Sequence, residues 1–186
     1  MKVLIACEFS GIVRDAFIEK GHETISCDTL PTENEGPHYQ GDVRWLLKED
    51  CWDLIVAHPP CTRMANSGVR WLHERNLWNE LKIYTNFFRL FLEHSCPRIA
   101  VENPIPHKYA VEKIGKYDQK IQPWQFGHPE KKATCLWLKG LPKLQSTNEV
   151  EASNQRIWKM PPSKQRQKER SRFFTGIAKA MANQWG

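Results

Sequence analysis

The stretch KVLIACEFSGIVRDAFIEKGHETISCD (residues 2–28) decides the fold. Lys2 to Cys7 is a β-branched-rich run that ends in a turn and reads as a buried strand. From Ser10 to Lys20, residues Ile12, Val13, Ala16 and Phe17 fall at helical spacing, with Ser10 placed as N-cap and Gly21 just past the end. His22 to Cys27 is a second strand, closed by Asp28. The outcome is a β-α-β unit whose first turn faces a helix N-terminus and whose second strand ends in an acid. Such units hold dinucleotide and nucleoside cofactors: backbone N–H groups meet the ligand at the helix start, and a carboxylate accepts from ribose hydroxyls.

Downstream, residues 31–40 read as a polar loop, and Gly41-Asp42-Val43 leads into a short helical patch at Trp45-Leu46-Leu47. Asp53 to Ala57 is a strand that runs into His58-Pro59-Pro60-Cys61. Trp71 to His94 is expected as one long helix, with Leu77, Trp78, Leu81, Tyr84, Phe88 and Phe91 as its core-facing stripe. Arg98 to Glu102 and Thr134 to Leu138 are further strands, and Phe173 to Trp185 closes the chain as a helix. This alternation predicts a mostly parallel sheet with helices on both faces. The expected organisation is a catalytic unit over 1–150, a flexible basic segment over 151–172 and a C-terminal helix over 173–186 that packs back on the first unit.

The 186 residues carry a net charge of +6, unevenly spread. Residues 1–100 hold 11 Lys/Arg against 14 Asp/Glu, whereas residues 101–186 hold 16 against 7. A fold does not require that asymmetry; it suits an acidic-to-neutral catalytic half joined to a surface that meets a polyanion. No apolar run reaches the length of a membrane span. The apolar stretch before Cys7 is also shorter than a signal-peptide core, so no membrane attachment is expected. The six cysteines form no CxxC pair and no His/Cys zinc spacing, which points away from a disulfide framework or a metal site and toward a reducing cytoplasm.

Cys61 follows two prolines directly after a strand, and Glu102 ends the next long strand. Ligands of open α/β sheets bind outside the carboxyl ends of the strands, so Cys61, Glu102, Asp28 and Asp42 are expected around one crevice. Prolines that rigidify a strand exit and remove N–H donors suit a held nucleophile better than an inert core thiol. A thiol acts only as thiolate, so a nucleophilic role for Cys61 would need a nearby cation or helix N-terminus to lower its pKa, a shift that the sequence does not show.

In order, EFSG (8–11), Asp28, GDV (41–43), DLIVAHPPC (53–61) and VENP (101–104) resemble the motifs of the DNA cytosine-C5 methyltransferases. HPPC with NSG, QFG with LWLKGLP (125–142) and the SRFF–GIAKAMANQWG ending resemble short phage- or prophage-type members over nearly the whole chain. The resemblance implies a Rossmann-like α/β fold using S-adenosylmethionine. Phe9, Ser10, Gly11, Asp28, Asp42 and Pro59 would hold that cofactor; Cys61 would be the nucleophile and Glu102 the acid on the cytosine ring. Gly176-Ile177-Ala178 resembles a weak form of the last motif. Asn103, Lys132, Thr134, Trp158, Arg166 and Arg170 are the expected substrate contacts, and Lys159, Lys164, Lys168 and Arg172 complete an expected phosphate clamp with Trp158 available to stack on a base.

Three departures bear on the substrate. Val13 and Arg14 stand where the family's cofactor turn has further glycines, Thr62 stands where Gln usually follows the cysteine, and only about thirty residues separate Leu138 from the closing helix, too few for the target-recognition domain of larger members. The expected activity is methyl transfer to carbon 5 of cytosine in duplex or single-stranded DNA. Two alternatives stay open: the same Cys/Glu chemistry on a free pyrimidine nucleotide, and a binding-only relative. The second predicts loss of Cys61 or Glu102, and both are present.

Overall fold

The computed structural model describes residues 1–49, 51–154 and 166–186. Strands β1 (Lys2–Ala6) and β2 (Glu23–Asp28) flank helix α1 (Ile12–Ile18), as the opening stretch predicts. β1 pairs in parallel with β2 on one side and with β4 (Leu54–Ala57) on the other. A strand in mid-sheet must bury both faces: Val3 and Ile5 enter one core cluster, and Leu4 and Ala6 the opposite one. Adding β3 (His38–Gln40), β5 (Ile99–Pro104), β6 (Gln119–Ile121) and β7 (Thr134–Lys139) completes a seven-stranded sheet ordered β3-β2-β1-β4-β5-β7-β6. β7 alone among these strands runs antiparallel, between β5 and β6. Its first residues therefore lie at the carboxyl ends of the parallel strands, with Thr134 opposite Pro104 and Leu136 opposite Glu102.

Helices cover both faces. α1 and the closing helix, whose Met181 and Trp185 are fully buried, pack on the Val3/Ile5 side. α2 (Val69–Glu74), α3 (Trp78–Leu92) and α4 (Lys108–Ile114) cover the other face, with Leu72, Leu81, Phe88, Phe91 and Ala110 in the core. Two further helices, α5 (Arg166–Ser171) and α6 (Thr175–Trp185), end the chain. No helix among the described residues is long and apolar enough to cross a membrane.

Four local expectations are corrected. The single helix over 71–94 is two, broken where Asn76 takes φ +50° and Leu77 N–H donates to Leu72 C=O, closing α2 before α3 begins. Within the expected stripe, Trp78 is consequently exposed, while Leu81, Phe88 and Phe91 form the core. The polar loop 31–40 contains β3, whose His38 ring meets the Ser26 hydroxyl at 2.8 Å. Residues 166–171 of the segment expected to be flexible form α5, and residues 155–165, with Trp158, Lys159 and Lys164, lie outside the described residues. Finally, Ser10 does not cap α1 in the expected way: Gly11, at φ +76°, is the N-cap residue, and a neighbouring carboxylate takes over the capping.

Candidate active site

That carboxylate is Glu8. It is almost fully buried and accepts from Val13 N–H at 2.8 Å, Arg14 N–H at 3.2 Å and the Ser10 hydroxyl at 2.9 Å, satisfying the free amides at the start of α1. The turn that delivers it is strained, because Cys7 holds φ +58°, a conformation that costs a residue with a Cβ. Arg14 explains the missing glycines. Its fully buried guanidinium pairs with Asp15 and donates to Ser26 and Thr32 hydroxyls and to the carbonyls of Asn34 and Glu35. A Cβ on Gly11 would lie 2.5 Å from that guanidinium, so the cation fills the space behind the turn and ties it to the loop before β3.

The expected cofactor residues gather on this edge. Phe9 and Ser10 line a cleft with Cys7, Glu8, His58, Ser171 and Phe173. The Asp28 carboxylate accepts from Leu30 N–H at 2.9 Å, and Asp28 C=O accepts from Gly41 N–H, which brings Asp42 close by. Arg44 holds Asp42 through hydrogen bonds to Oδ2 from Nε at 2.9 Å and from Nη2 at 2.5 Å, and keeps its carboxyl below the usual range. Beside Arg44 and Pro60, next to Pro59, lies a groove of about 530 Å³ walled by Ile83, Tyr84, Phe87 and Leu90 of α3. The groove is open to solvent, with Ile83 and Leu90 exposed and Asn86 among its walls.

Cys61 follows β4, and Glu102 lies within β5, its parallel neighbour. Burial pushes the Cys61 thiol up to about 11, and the Glu102 charge adds to the rise, while Lys132 and Arg170 oppose it. The cations that a nucleophilic thiolate would need are present, but desolvation outweighs them. Burial pushes Lys132 down, against the pull of Glu102 and Cys61, and its Nζ donates to Arg170 C=O at 2.8 Å. Lys132 reaches this end because β7 enters the sheet antiparallel. Asn103 is fully buried, with Oδ1 lacking a hydrogen-bond partner among the described residues, and Thr134 is buried where β7 begins. Because the thiolate is disfavoured, alkylation of Cys61 by iodoacetamide is expected to rise about tenfold per pH unit up to about pH 11. Glu102→Gln removes a charge that disfavours the thiolate, so alkylation at pH 8 should be severalfold faster, whereas Lys132→Met should slow it. Peptide mass spectrometry reads both; an E102Q rate at or below wild type would contradict the coupling.

The C-terminal segment closes over the turn at Phe9–Gly11. Lys168 and Arg172 pair with Glu33 at 3.0 and 2.8 Å, Glu33 N–H donates to Phe9 C=O, and Phe173 packs on the His58 ring. The cleft beneath keeps about 10 Å³, room for about one water. Two members of the expected phosphate clamp are thus engaged within the chain, while Arg166 and Arg170 stand on α5. Gly176-Ile177-Ala178 do not line the cleft; Ile177 and Ala178 are core, and Ser171 and Phe173 take that position. Hydrogen bonds from Arg172 and Lys168 hold the Glu33 carboxyl down at about 2, against an ordinary value of 4.5. A depressed carboxylate stabilises its contact above its unfolded pKa and loses that contribution as pH falls, here between about pH 4.5 and 2. Hydrogen exchange over residues 166–172 should accelerate through that window, relative to intrinsic rates, and Glu33→Gln should exchange fast at pH 7 with the acid step gone.

Sequence reasoning gave no role to Glu8, Arg14, Glu33 or His58. Only Glu8 had a readable signal, as the acid next to the turn. The His58 ring is nearly buried, with both nitrogens lacking a hydrogen-bond partner among the described residues and Nδ1 3.6 Å from Glu102 Oε2.

No protein-family model and no curated protein matches the chain. Solved structures do resemble it. One, described as a DNA modification methyltransferase encoded within an E. coli prophage, superposes with a TM-score of 0.52 at 16% identity, covering 81% of this chain and 52% of its own. Another, an Entamoeba histolytica methyltransferase, gives 0.53 at 15% identity, covering 81% and 57%. The chain therefore spans a little over half the length of each. With the sheet order and the antiparallel β7, this likeness shows the Rossmann-like fold of S-adenosylmethionine-dependent methyltransferases.

Proposed function

We propose that the protein transfers a methyl group from S-adenosylmethionine to carbon 5 of cytosine in DNA through a covalent Cys61 adduct. The observation that carries this reading is the gathering of Cys61 after β4, Glu102 in β5 and Lys132 before antiparallel β7 at the carboxyl end of the parallel strands, where their charges act on one another. The residues present suit the cofactor. Asp28 offers acceptors for ribose hydroxyls, Asp42 for the adenine amine, the groove beside Pro60 accepts a planar apolar ring, and the unsatisfied His58 nitrogens lie in the cleft wall beside Phe9 and Ser10. Bound there, the cofactor supplies an electrophilic methyl group.

Cys61 adds to carbon 6 of the ring, which makes carbon 5 nucleophilic. Glu102 meets N3 and offsets the charge that develops there, and Lys132 stabilises the thiolate before addition. Asn103 and Thr134 border the base. Loss of the carbon-5 proton and elimination of Cys61 close the cycle. A base in a duplex must first leave the stack, at a cost of a few kcal/mol. A basic and aromatic surface supports a polynucleotide substrate. Arg70 and Arg75 lie 4.1 and 4.2 Å over the Trp71 ring on α2, and His73, Trp78 and Tyr109 cluster beside them. The loop from Cys61 to this patch is bonded to the β5 exit, with Asn66 N–H donating to Ile105 C=O. Such platforms stack unpaired bases while cations meet the phosphates.

The test is transfer of radiolabel from methyl-tritiated S-adenosylmethionine to duplex DNA, single-stranded DNA, dCMP and dUMP in parallel. Label at carbon 5 of cytosine in a polynucleotide supports the proposal. Label on a mononucleotide alone favours the free-nucleotide reading, to which the short connection after β7 lends weight. Label in neither, with DNA still bound, leaves the binding-only relative.

A further inference from the structure

His58 takes no part in the steps above, yet it lies between the nucleophile's neighbour and the cofactor turn. Its backbone N–H donates to Ala6 C=O at 2.9 Å, which sets the position of the β4 exit against β1. The side chain is only 10% exposed, one ring face packs against Phe173 at 4.7 Å, and Nδ1 stands 3.6 Å from Glu102 Oε2. That separation is too long for a hydrogen bond and within ion-pair reach, so a small rotation of either side chain joins them. A nearly buried imidazole with both nitrogens unsatisfied is costly, and an apolar residue would fill this strand exit without that penalty.

We propose that His58 is a positioning residue for Glu102: it holds the carboxyl toward the base and stabilises the carboxylate that Glu102 becomes when it gives a proton to N3. The proposal rests on the carbon-5 reading. The charged and titratable groups around the ring are few. Glu102 faces it from β5, with Lys132 beyond; Glu8 and Cys7 face it from the β1 exit, and Glu8 is already committed to the amides of α1. Arg172, next to Phe173, is held by Glu33.

Before addition the Cys61 thiol proton passes to the Glu102 carboxylate, and after methyl transfer the carbon-5 proton leaves to water. As Cys61 Sγ bonds to carbon 6, the carbon 5–carbon 6 π pair shifts toward carbon 4, the carbon 4–N3 π pair moves onto N3, and the Glu102 proton follows. The carboxylate left behind accepts a hydrogen bond from His58 Nδ1–H. When the adduct later eliminates Cys61, the N3 proton returns to Glu102, and His58 neither gains nor loses one over the cycle.

Two measurements test this. NMR titration of histidine-labelled protein, with the His58 signal assigned by its loss in His58→Asn, should show His58 titrating about half a pH unit or more lower in Glu102→Gln than in the native chain. Separately, His58→Ala should lower kcat for methyl transfer at least about tenfold with KM for DNA little changed, and His58→Asn, which keeps a donor near the Nδ1 position, should recover part of it. An His58 titration unmoved by E102Q overturns the proposal, as does a His58→Ala variant that changes KM alone. If the titration moves but no polynucleotide is methylated, the pairing of His58 with Glu102 stands and the carbon-5 reading falls.

Discussion

Replacing Cys61 by serine is expected to lower methyl transfer to DNA by at least about four orders of magnitude, the scale on which covalent nucleophiles fail when removed. Fold and cofactor affinity should be retained, because Cys61 is partly exposed on a loop and takes no place among the core clusters. A serine hydroxyl ionises far above the thiol, so even the raised value of about 11 leaves cysteine the only competent nucleophile of the two. DNA containing 5-fluorocytosine should trap the native chain as a denaturant-stable adduct, since fluorine cannot leave as the proton does. Transfer within tenfold of native by Cys61→Ser, or no adduct on a substrate that native protein methylates, would exclude covalent catalysis by this residue.

The second large effect concerns folding. Arg14→Met should cost about 3–5 kcal/mol, the range seen when one partner of a buried ion pair is removed. For a chain of this size that lowers Tm by about 10 °C. The reason is the number of groups that lose a donor, Asp15, two hydroxyls and two carbonyls, while Gly11 and Gly36 are left facing a void. Because those carbonyls belong to the loop that carries Glu33, the turn at Phe9–Gly11 should loosen and cofactor affinity fall as well. Differential scanning calorimetry and isothermal titration check the two parts. A Tm shift below about 2 °C would mean that the loop holds itself.

Burial, not cation proximity, governs the resting thiol. A nucleophilic cysteine needs a lowered pKa, and nothing in the spacing after Pro-Pro says whether it has one. The loop sets Cys61 half-buried beside Glu102, and desolvation of a charge outweighs the two cations. The C-terminal basic run shows the same limit. Seven basic residues in twenty read as a solvated clamp, but Lys168 and Arg172 find Glu33, which lies more than 130 positions away in sequence. Long-range pairing of this kind leaves no periodic trace.

What the residues determine unaided is the β-α-β opening, the alternation that makes a parallel sheet, and the acids and cysteine at strand ends. These depend on local rules: β-branched runs extend, apolar spacing of 3.6 coils, and a parallel strand must deliver its next residue to the carboxyl edge. Only the tertiary structure decides which of those ends meet. Direction is the clearest case, since nothing in TCLWLK tells a parallel strand from an antiparallel one, yet the antiparallel insertion of β7 is what carries Lys132 to Cys61 and Glu102. Arg14 is another: a lone arginine on an apolar helix face reads as a departure from pattern. It becomes a structural cation only because β2 and the loop before β3 supply four partners at once beside its neighbour Asp15, from positions that no periodicity along the chain relates to one another.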